Sequence, residues 1–397
     1  MRSIKEIFVI GHGPSSSHTM GPAFACEFVL KKYQDAKYIK VVLFDSLAKT
    51  GKGHFTDLII DTKLKNVPHE IAFDEKTSVK HPNTMRFFIT NARGKEIMEE
   101  VISIGGGTII TSDNKKETPK DVFPHKNLTE ILDYCNQKGI SLSQYVLSFD
   151  DEDVIEHMTK CYQAMMDAAH RGMDKVGELS GPLHVKRKAH DMYMQLLAKP
   201  FGFKDYDLTT ATYAIAVAEE NADGGEVVIA PTCGSAGVIP GVIAYLEAKG
   251  LSTRKIIESM LVAGLIGIVS KTNGSISGAE AGCQAEIGVA CAMGAALIAS
   301  AEGLPNDKIA QSAEIALEHS LGLTCDPVKG YVQVPCIERC ALYALKARDA
   351  VSLARLIPSN TTLISFDDSL KTMLKTGRDL KSGYRETGKK GLGELFK

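Results

Sequence analysis

The first residues that could do chemistry form a polar loop near the N-terminus. The stretch GHGPSSSHTMGP, residues 11–22, places three serines, a histidine and a threonine directly before a predicted helix. Serine and threonine hydroxyls, together with the unpaired N–H groups at a helix start, are suited to bind a carboxylate or a phosphate. An N-cap needs only one such side chain, so this loop has more hydroxyls than capping requires. We therefore interpret four of its residues as substrate-binding: Ser15, Ser16, Ser17 and Thr19.

Two more histidine-bearing loops follow in the first third of the chain. SLAKTGKGHFTD combines glycines with His54 and Thr56, and HPN places His81 two residues before Asn83. Neutral imidazole near pH 7 is suited to accept a proton, although a single histidine is more often structural than catalytic. Three such loops in one small region favour a catalytic base, and the candidates are His18, His54 and His81. We favour His54 because it lies in a glycine loop beside Thr56, and we interpret Thr56 and Asn83 as substrate-binding.

The chain has nine cysteines, and six of them lie beyond residue 230. The N-terminus does not resemble a signal peptide, so we expect reduced thiols that mostly serve packing. Cys325 lies 42 residues after Cys283 and 11 before Cys336, spacings that match no zinc-ribbon or ferredoxin pattern. From spacing alone, a thiolate metal site and scattered core thiols are equally good interpretations. Three cysteines in helix-like stretches are expected to serve packing only: Cys26, Cys135 and Cys161.

Composition and charge narrow the class of protein. The chain has 397 residues, of which 44% are hydrophobic and 24% charged, and its formal net charge is −2. These values indicate a soluble globular protein with two or three domains. The basic residues are dispersed, which favours neither nucleic acid nor a membrane surface as a partner. Two apolar stretches, residues 260–270 and 287–301, are shorter than the roughly 20 residues of a spanning helix, so we expect buried core helices.

Two kinds of architecture are predicted to position these residues. Residues 1–125 combine a helix-like stretch at 21–33 with short β-branched stretches, which predicts an α+β domain with one small sheet. The predicted strands are 38–44, 58–60, 70–73, 84–90 and 101–104. A charged stretch with two prolines, residues 111–124, predicts a linker or surface excursion. Residues 126–397 predict a larger all-α domain, with helices at 153–171, 183–197, 209–221, 253–269, 283–301, 307–320 and 337–352.

At these motifs the sequence resembles the iron–sulfur-dependent bacterial L-serine dehydratases, or L-serine ammonia-lyases. The matching stretches run in family order from residue 4 to about residue 345: GPSSSHTMGP, TGKGHFTD, HPN, SIGGG, GPLH, APTCGSAGVIP, SGAEAGCQAEIGVACAM and CDPVKGYVQVPCIER. The resemblance implies a β-type domain followed by an α-type helical domain in one chain. It also implies a cytoplasmic carbon–nitrogen lyase of amino-acid catabolism and gluconeogenesis that converts L-serine to pyruvate and ammonia. We expect a homo-oligomer without nucleic-acid or membrane partners.

The resemblance also implies a cofactor. In that family three cysteines hold a [4Fe–4S] cluster, and the matching positions here are Cys283, Cys325 and Cys336. The fourth iron lacks a cysteine during catalysis and acts as a Lewis acid on the serine hydroxyl, while a base removes the α-proton. We expect the site where the two domains meet. Many relatives end in a cysteine that covers the open iron, whereas this chain ends GLGELFK. Cys233 and Cys340 replace an asparagine of many relatives, and we expect packing roles, with a fourth cluster ligand as the alternative for Cys233.

Two alternatives predict different proteins. A PLP-dependent serine/threonine dehydratase would perform the same net reaction through a Schiff-base lysine, but no lysine here lies in a setting that resembles that family. A serine-binding sensor with a purely structural iron–sulfur cluster would bind serine without forming pyruvate. The β-type domain is similar to a serine-sensing regulatory domain of phosphoglycerate dehydrogenases, which gives this alternative a basis. The complete motif set favours the enzyme.

Overall fold

The computed structural model describes residues 1–113, 121–200 and 202–396. The chain divides into two compact units: Gly11–Pro119 forms the small unit, and Met1–Ile10 with Lys120–Lys397 forms the large unit. The small unit is built on a sheet and the large one is mainly helical, which confirms the predicted fold class. The predicted domain boundary at residue 125 stays a prediction.

The small unit is organised around a five-stranded sheet. Strand β1 (Val9–His12) leads into it, and its own strands are β2 (Ala36–Phe44), β3 (His69–Asp74), β4 (Thr84–Asn91), β5 (Glu96–Gly105) and β6 (Thr108–Ile110). The helices of this unit are α1 (Gly21–Lys32), α2 (Asp45–Thr50) and α3 (Thr56–Leu64). The sheet order is β3–β2–β4–β5–β6. β2 runs parallel to β3 because α2 and α3 form a crossover between them, whereas the other neighbours pair antiparallel.

Alternating side chains of the central strands form the core of the small unit. Val41 and Leu43 of β2 are fully buried and lie opposite Phe87 and Met85 of β4, which are also fully buried. A slip of one residue would turn this whole set to the other face of the sheet, so the apolar alternation determines the register. The three predicted site loops are connections of this framework. They precede α1, join α2 to α3, and join β3 to β4.

One predicted element of the small unit is wrong. Residues 58–60, predicted as a strand, lie in helix α3. A three-residue apolar run is too short to define a period, and the observed burial follows helical spacing. Ile60 and Leu64 are buried four residues apart, while Leu58 is exposed. The other four predicted strands lie within β2, β3, β4 and β5.

The large unit is a bundle of helices around one central helix. Its elements are α4 (Leu128–Lys138), α5 (Leu142–Phe149), α6 (Val154–Asp174), α7 (Ala189–Leu197), α8 (Tyr206–Ala222), β7 (Glu226–Ile229), α9 (Val238–Ala248), α10 (Thr253–Asn273), α11 (Gly278–Ala281), α12 (Val289–Ala301), α13 (Asn306–Glu318), α14 (Cys336–Leu356) and α15 (Phe366–Asp379). β7 pairs with β1, whose first residues Val9 and Ile10 belong to the same unit. Every residue of α12 is buried, and α9, α10, α13 and α14 pack against it. Small residues permit this close packing, since a Cβ at Gly294 would lie 3.2 Å from Val242.

Two apolar stretches of the large unit pack as core helices, as predicted. By length and composition alone, Thr253–Asn273 and Gln284–Ala301 could each cross a membrane, but 78% and 94% of an apolar 18-residue stretch in each are buried inside the protein. The helix predicted at 183–197 begins later, at Ala189, because Glu178 and Lys186 form an isolated β-bridge before it.

The predicted linker at residues 111–124 is described only in part, because residues 114–120 lie outside the described residues. Its last part is not a surface excursion. Phe123 is buried, and the N–H groups of Val122 and Phe123 donate to the Met1 carbonyl at 2.8 and 2.9 Å. The apolar pair Val122–Phe123 therefore anchors this end of the stretch to the large unit.

Candidate active site and candidate metal centre

The polar loop of the small unit forms a π-helical turn, Ser16–Met20, that continues into α1. Ser15 caps the turn, because its Oγ accepts a hydrogen bond from the N–H of His18 at 3.2 Å. The side chains of Ser15, Ser16, His18 and Thr19 are buried. π-helical turns are rare and occur frequently at functional sites. The loop therefore concentrates hydroxyl groups and an imidazole in a buried turn at a helix start.

Two threonine hydroxyls connect this turn to the loop that carries His54. Thr19 Oγ1 donates to the His54 carbonyl at 2.7 Å, and Thr56 Oγ1 donates to the His18 carbonyl at 2.5 Å. Both hydroxyls are thus engaged within the small unit. The result is that the rings of His18 and His54 lie with their centroids 4.7 Å apart.

His54 has one ring nitrogen available. Its Nδ1 lies 3.0 Å from the Thr50 carbonyl, so Nδ1 carries the proton and donates it. Within the described part of the chain, the buried Nε2 meets no hydrogen-bond partner. Burial disfavours the charged ring and lowers the pKa of His54 from 6.5 to about 4. At neutral pH the ring is therefore uncharged with a lone pair on Nε2, which is the state of a proton acceptor.

Of the other two histidines, His18 has both ring nitrogens engaged, whereas His81 has a hydrogen bond at Nδ1. His18 Nδ1 lies 2.8 Å from Ser17 Oγ, and its Nε2 lies 2.9 Å from Ser46 Oγ. Burial lowers the pKa of His18 well below 6.5. His81 Nδ1 accepts from the N–H of Asn83 at 3.1 Å, and partial burial lowers the pKa of His81 as well. Ser46 is the first residue of the stretch SLAKTGKGHFTD, but the sequence prediction did not assign it to the site.

Asn83 and Ser103 each have a buried polar atom without a partner. Among the described residues, Asn83 Oδ1 and Ser103 Oγ make no hydrogen bond. The two residues are neighbours, because the N–H of Ser103 donates to the Asn83 carbonyl at 3.0 Å. Ser103 also borders α1, since a Cβ at Gly21 would lie 2.1 Å from its Oγ. Buried polar groups are rarely left unsatisfied, so these atoms indicate a place for a polar ligand.

We use the term hydroxyl–imidazole site for the following residues: Ser15, Ser16, Ser17, His18, Thr19, Ser46, His54, Thr56, His81, Asn83 and Ser103.

The large unit brings two of the predicted cysteines next to a carboxylate that the sequence prediction did not include. One ligand atom from each of Cys283, Glu286 and Cys325 lies within 4.8 Å of the other two. The Cys325 thiol donates to Glu286 Oε2 at 3.7 Å. Burial raises the pKa of Glu286, and the nearby Thr232 hydroxyl opposes this shift. Two sulfurs and a carboxylate oxygen at this separation form a candidate metal centre.

Cys336 enters the same region from the first turn of α14. Burial, followed by the nearby Cys283 thiol, raises the pKa of Cys336 well above 9. Arg339, one turn further along α14, donates to the Thr324 carbonyl at 2.9 Å and lies near the Cys283 thiol. A partly buried cation beside thiols favours their ionised form, which is the form that binds metal. We use the term cysteine–carboxylate site for the following residues: Cys283, Glu286, Cys325, Cys336 and Arg339.

Glycines allow the loops to meet at this site. Gly282 has φ +75°, and a Cβ there would lie 2.8 Å from the Leu323 carbonyl. A Cβ at Gly278 would lie 2.2 Å from Glu286 Oε2 and 3.3 Å from Cys325 Sγ. The motif SGAEAGCQAEIG therefore needs glycine where its backbone approaches the Cys325 loop and the carboxylate.

A C-terminal segment lies against Cys325. The N–H of Cys325 donates to the Tyr384 carbonyl at 2.9 Å, and the N–H of Glu386 donates to the Cys325 carbonyl at 2.8 Å. Burial, with the nearby Glu286 and Cys283, raises the pKa of Glu386 to about 8. The segment after α15 thus brings a second carboxylate close to the cysteine–carboxylate site.

The remaining cysteines are buried. Cys340 Sγ donates to the Gly234 carbonyl at 3.4 Å, which is consistent with packing between α14 and the preceding loop. Burial raises the pKa of Cys233, with Glu286 and Glu386 nearby. Cys26, Cys135 and Cys161 are fully buried in the two cores, as expected for packing residues.

Comparison with known proteins identifies the family. Residues 62–393 match the serine dehydratase alpha chain, and residues 3–66 match the serine dehydratase beta chain. L-serine dehydratase 1 of Escherichia coli K12 is 35% identical, over 99% of this chain and 98% of the relative. L-serine dehydratase of Haemophilus influenzae Rd is 37% identical with the same coverage, and that of Helicobacter pylori J99 is 36% identical over 100% and 99%. The chain therefore belongs to the serine dehydratase family, with beta-chain and alpha-chain regions in one polypeptide.

Proposed function

We propose that this protein is an L-serine ammonia-lyase that converts L-serine to pyruvate and ammonia. The observation that supports this function best is the grouping of Cys283, Glu286 and Cys325 within 4.8 Å, in a chain that matches L-serine dehydratases over nearly its full length. From the resemblance we further propose a cytoplasmic homo-oligomer that serves amino-acid catabolism and gluconeogenesis.

The reaction sets three chemical requirements. The substrate carboxylate must be held, the Cα–H proton must be taken up, and the Cβ–O bond must break with departure of the hydroxyl. Elimination gives an enamine, which becomes an imine and is hydrolysed by water to pyruvate and ammonia. Hydroxide is a poor leaving group, and the α-proton is only weakly acidic, so both bond changes need positioned groups.

The hydroxyl–imidazole site has groups for binding and for proton uptake. We assign the substrate carboxylate to the hydroxyls of Ser15, Ser16 and Ser17 and to the N–H groups at the start of the π-helical turn. Asn83 Oδ1, which has no partner among the described residues, is an acceptor that suits the substrate ammonium group.

His54 is the proposed base, because its Nε2 is neutral, buried and without a partner among the described residues. Thr19 and Thr56 act on the same step by holding the His18 and His54 loops together. His18 and His81 remain the alternative bases.

The cysteine–carboxylate site fits an iron–sulfur cofactor. Thiolates are the usual ligands of [4Fe–4S] clusters, and we propose that Cys283, Cys325 and Cys336 hold one. Arg339 supplies a partly buried positive charge near Cys283, which offsets the negative charge of several thiolates. When bound, such a cluster would supply a Lewis acid for departure of the hydroxyl. Because burial and neighbouring thiols raise the pKa values of Cys325 and Cys336, metal binding must displace their protons.

Anaerobic reconstitution tests the proposal against both alternatives. Apoprotein is divided and treated with iron and sulfide, with PLP, or with buffer alone, and pyruvate release from L-serine is measured in each portion. We expect pyruvate only after treatment with iron and sulfide. Activity restored by PLP would indicate a PLP enzyme. Serine binding by calorimetry without pyruvate in any portion would indicate a sensor.

A further inference from the structure

A cluster with four irons needs a ligand for the iron that no cysteine binds. The cysteine–carboxylate site contains an oxygen ligand in addition to its sulfurs. We infer that Glu286 is the carboxylate ligand of that iron. This inference rests on the proposed function and extends it to a residue outside the cysteine set.

The position of the carboxylate carries the inference. Glu286 belongs to the only group of three or more metal-binding side chains that approach within 4.8 Å of one another in the described part of the chain. Its Oε2 accepts from Cys325 Sγ at 3.7 Å, and a Cβ at Gly278 would lie 2.2 Å from that oxygen. The other oxygen, Oε1, lies 3.6 Å from the position of a Cβ at Gly234. Gly278 thus borders one carboxylate oxygen and Gly234 the other, and on these sides no Cβ covers the oxygens.

The local backbone supports the same assignment. Glu286 lies in a second π-helical turn, Gln284–Gly288, which joins Cys283 to α12. π-helical turns are frequent at functional sites, and this one places a carboxylate three residues after a proposed cluster ligand. The Thr232 hydroxyl lies on the same side of the carboxylate, because Thr232 Oγ1 and Glu286 Oε1 are 3.9 and 3.6 Å from the position of a Cβ at Gly234.

The chemistry of a carboxylate suits the iron that must meet the substrate. Carboxylate oxygen is a harder ligand than thiolate and donates less electron density to iron. An iron with an oxygen ligand is therefore more electron-poor, and it exchanges that ligand more readily than one held by a fourth cysteine. Arg339 lies near Cys283 and Glu286, and its charge offsets the added negative charge.

Glu386 and Cys233 are the competing donors near this site. Glu386 lies on the C-terminal segment, and Cys233 lies in the loop before α9. Glu286 is favoured because it alone, among the described acidic residues, shares a group with two proposed cluster cysteines.

Spectroscopy of four glutamate variants tests the inference. Wild type, Glu286→Gln, Glu286→Asp, Glu386→Gln and the control Glu280→Gln are reconstituted anaerobically with ⁵⁷Fe and sulfide. Glu280 is an exposed carboxylate on α11 whose Oε2 accepts from Ser275 Oγ at 2.8 Å. In wild type and Glu280→Gln we expect one iron with the Mössbauer parameters of oxygen ligation. In Glu286→Gln we expect the Mössbauer parameters of that iron to change, because water or the amide oxygen replaces the carboxylate, and one iron to be lost about 10-fold faster or more under mild oxidation. Glu286→Asp should keep the signal with altered parameters.

The outcomes separate this inference from the proposed function. Unchanged Mössbauer parameters and iron loss in Glu286→Gln would overturn the ligand assignment while leaving the enzyme proposal intact. A change in the parameters of that iron only in Glu386→Gln would place the ligand on the C-terminal segment and also overturn the assignment. Wild-type protein that binds no iron and sulfide would overturn the cluster together with its ligand. Thermal unfolding shows whether each variant is folded. If Glu286→Gln does not fold, Glu286→Asp replaces it, and wild-type Mössbauer parameters in Glu286→Asp would overturn the assignment.

Discussion

Replacement of His54 by glutamine tests the proposed proton acceptor. Glutamine retains a donor that can reach the Thr50 carbonyl but has no basic nitrogen in place of Nε2. Loss of a positioned general base typically costs about 100- to 10,000-fold in rate. We therefore expect kcat for pyruvate formation to fall by about 100-fold or more, with a much smaller change in KM because carboxylate binding is assigned to other residues.

The pKa of His54 also determines a pH dependence. Burial lowers it from 6.5 to about 4, so the folded protein keeps this ring unprotonated between those two values. The unfolded chain binds a proton there in the same window, so the free energy of unfolding decreases as the pH falls from 6.5 towards 4. The full difference between these pKa values corresponds to about 3 kcal/mol of unfolding free energy, and about 2 kcal/mol of it is lost when the pH has fallen to 5. Well above pH 6.5, where the ring is unprotonated in both states, His54 contributes no pH dependence.

The assay combines kinetics with unfolding. Wild type and His54→Gln are compared anaerobically in steady-state pyruvate release from pH 5 to 8, and in urea unfolding at pH 7 and pH 5. The matched control is His69→Gln, a histidine of β3 in the same unit whose Nε2 lies 2.9 Å from Asp61. We expect His54→Gln to lose about 2 kcal/mol less stability than wild type between pH 7 and 5.

Two results would refute this reasoning. An unchanged kcat in His54→Gln would remove His54 from proton uptake and pass the role to His18 or His81. An acid loss of stability equal in wild type and His54→Gln would show that the ring is not buried in its neutral form.

Three further perturbations have defined outcomes. Alanine in place of Cys283, Cys325 or Cys336 should abolish the binding of iron and sulfide, whereas Cys26→Ala should not. A complete cluster in one of the three variants would exclude the replaced cysteine as a ligand. Ser16→Ala should raise KM for L-serine by about 10- to 100-fold, because a hydrogen bond to a charged group contributes about 1.5–3 kcal/mol. An unchanged KM would show that Ser16 does not bind the substrate carboxylate. Gly21→Ala would place a Cβ 2.1 Å from Ser103 Oγ and should lower the free energy of unfolding by about 1–3 kcal/mol. Adding Ser103→Gly should restore most of that loss in urea unfolding, and no recovery would indicate a different clash.

The fold class was accessible from the sequence because apolar alternation and helical spacing are local signals. Val41 and Leu43 alternate with partly buried residues along β2, and the Ala-rich run of α12 has the composition of a buried helix. Leu58 to Ile60 was misassigned because its helical period appears only when Leu64 is included.

The candidate site was predictable in its residue types but not in its geometry. The three histidine loops were recognisable as polar, yet the free Nε2 of His54 depends on burial and on the Thr50 carbonyl. The sequence favoured substrate contacts for Thr19 and Thr56, whose hydroxyls donate to backbone carbonyls within the small unit.

Glu286 could not be singled out from the sequence. Its motif contains two glutamates, Glu280 and Glu286, and only tertiary structure brings one of them to Cys325, 39 residues further along the chain. No local period or spacing rule separates the two. The same applies to Arg339, whose contact with Cys283 depends on how α14 packs.

The proposed activity is tested most directly by measuring pyruvate release from L-serine as a function of iron content. Anaerobically purified protein is assayed at graded cluster loading, then after controlled exposure to air and after renewed reconstitution. We expect the rate to rise from zero in proportion to cluster content, to fall in air as iron is lost, and to recover on reconstitution. Full activity in iron-free protein, or no pyruvate from cluster-loaded protein, would contradict the proposed function.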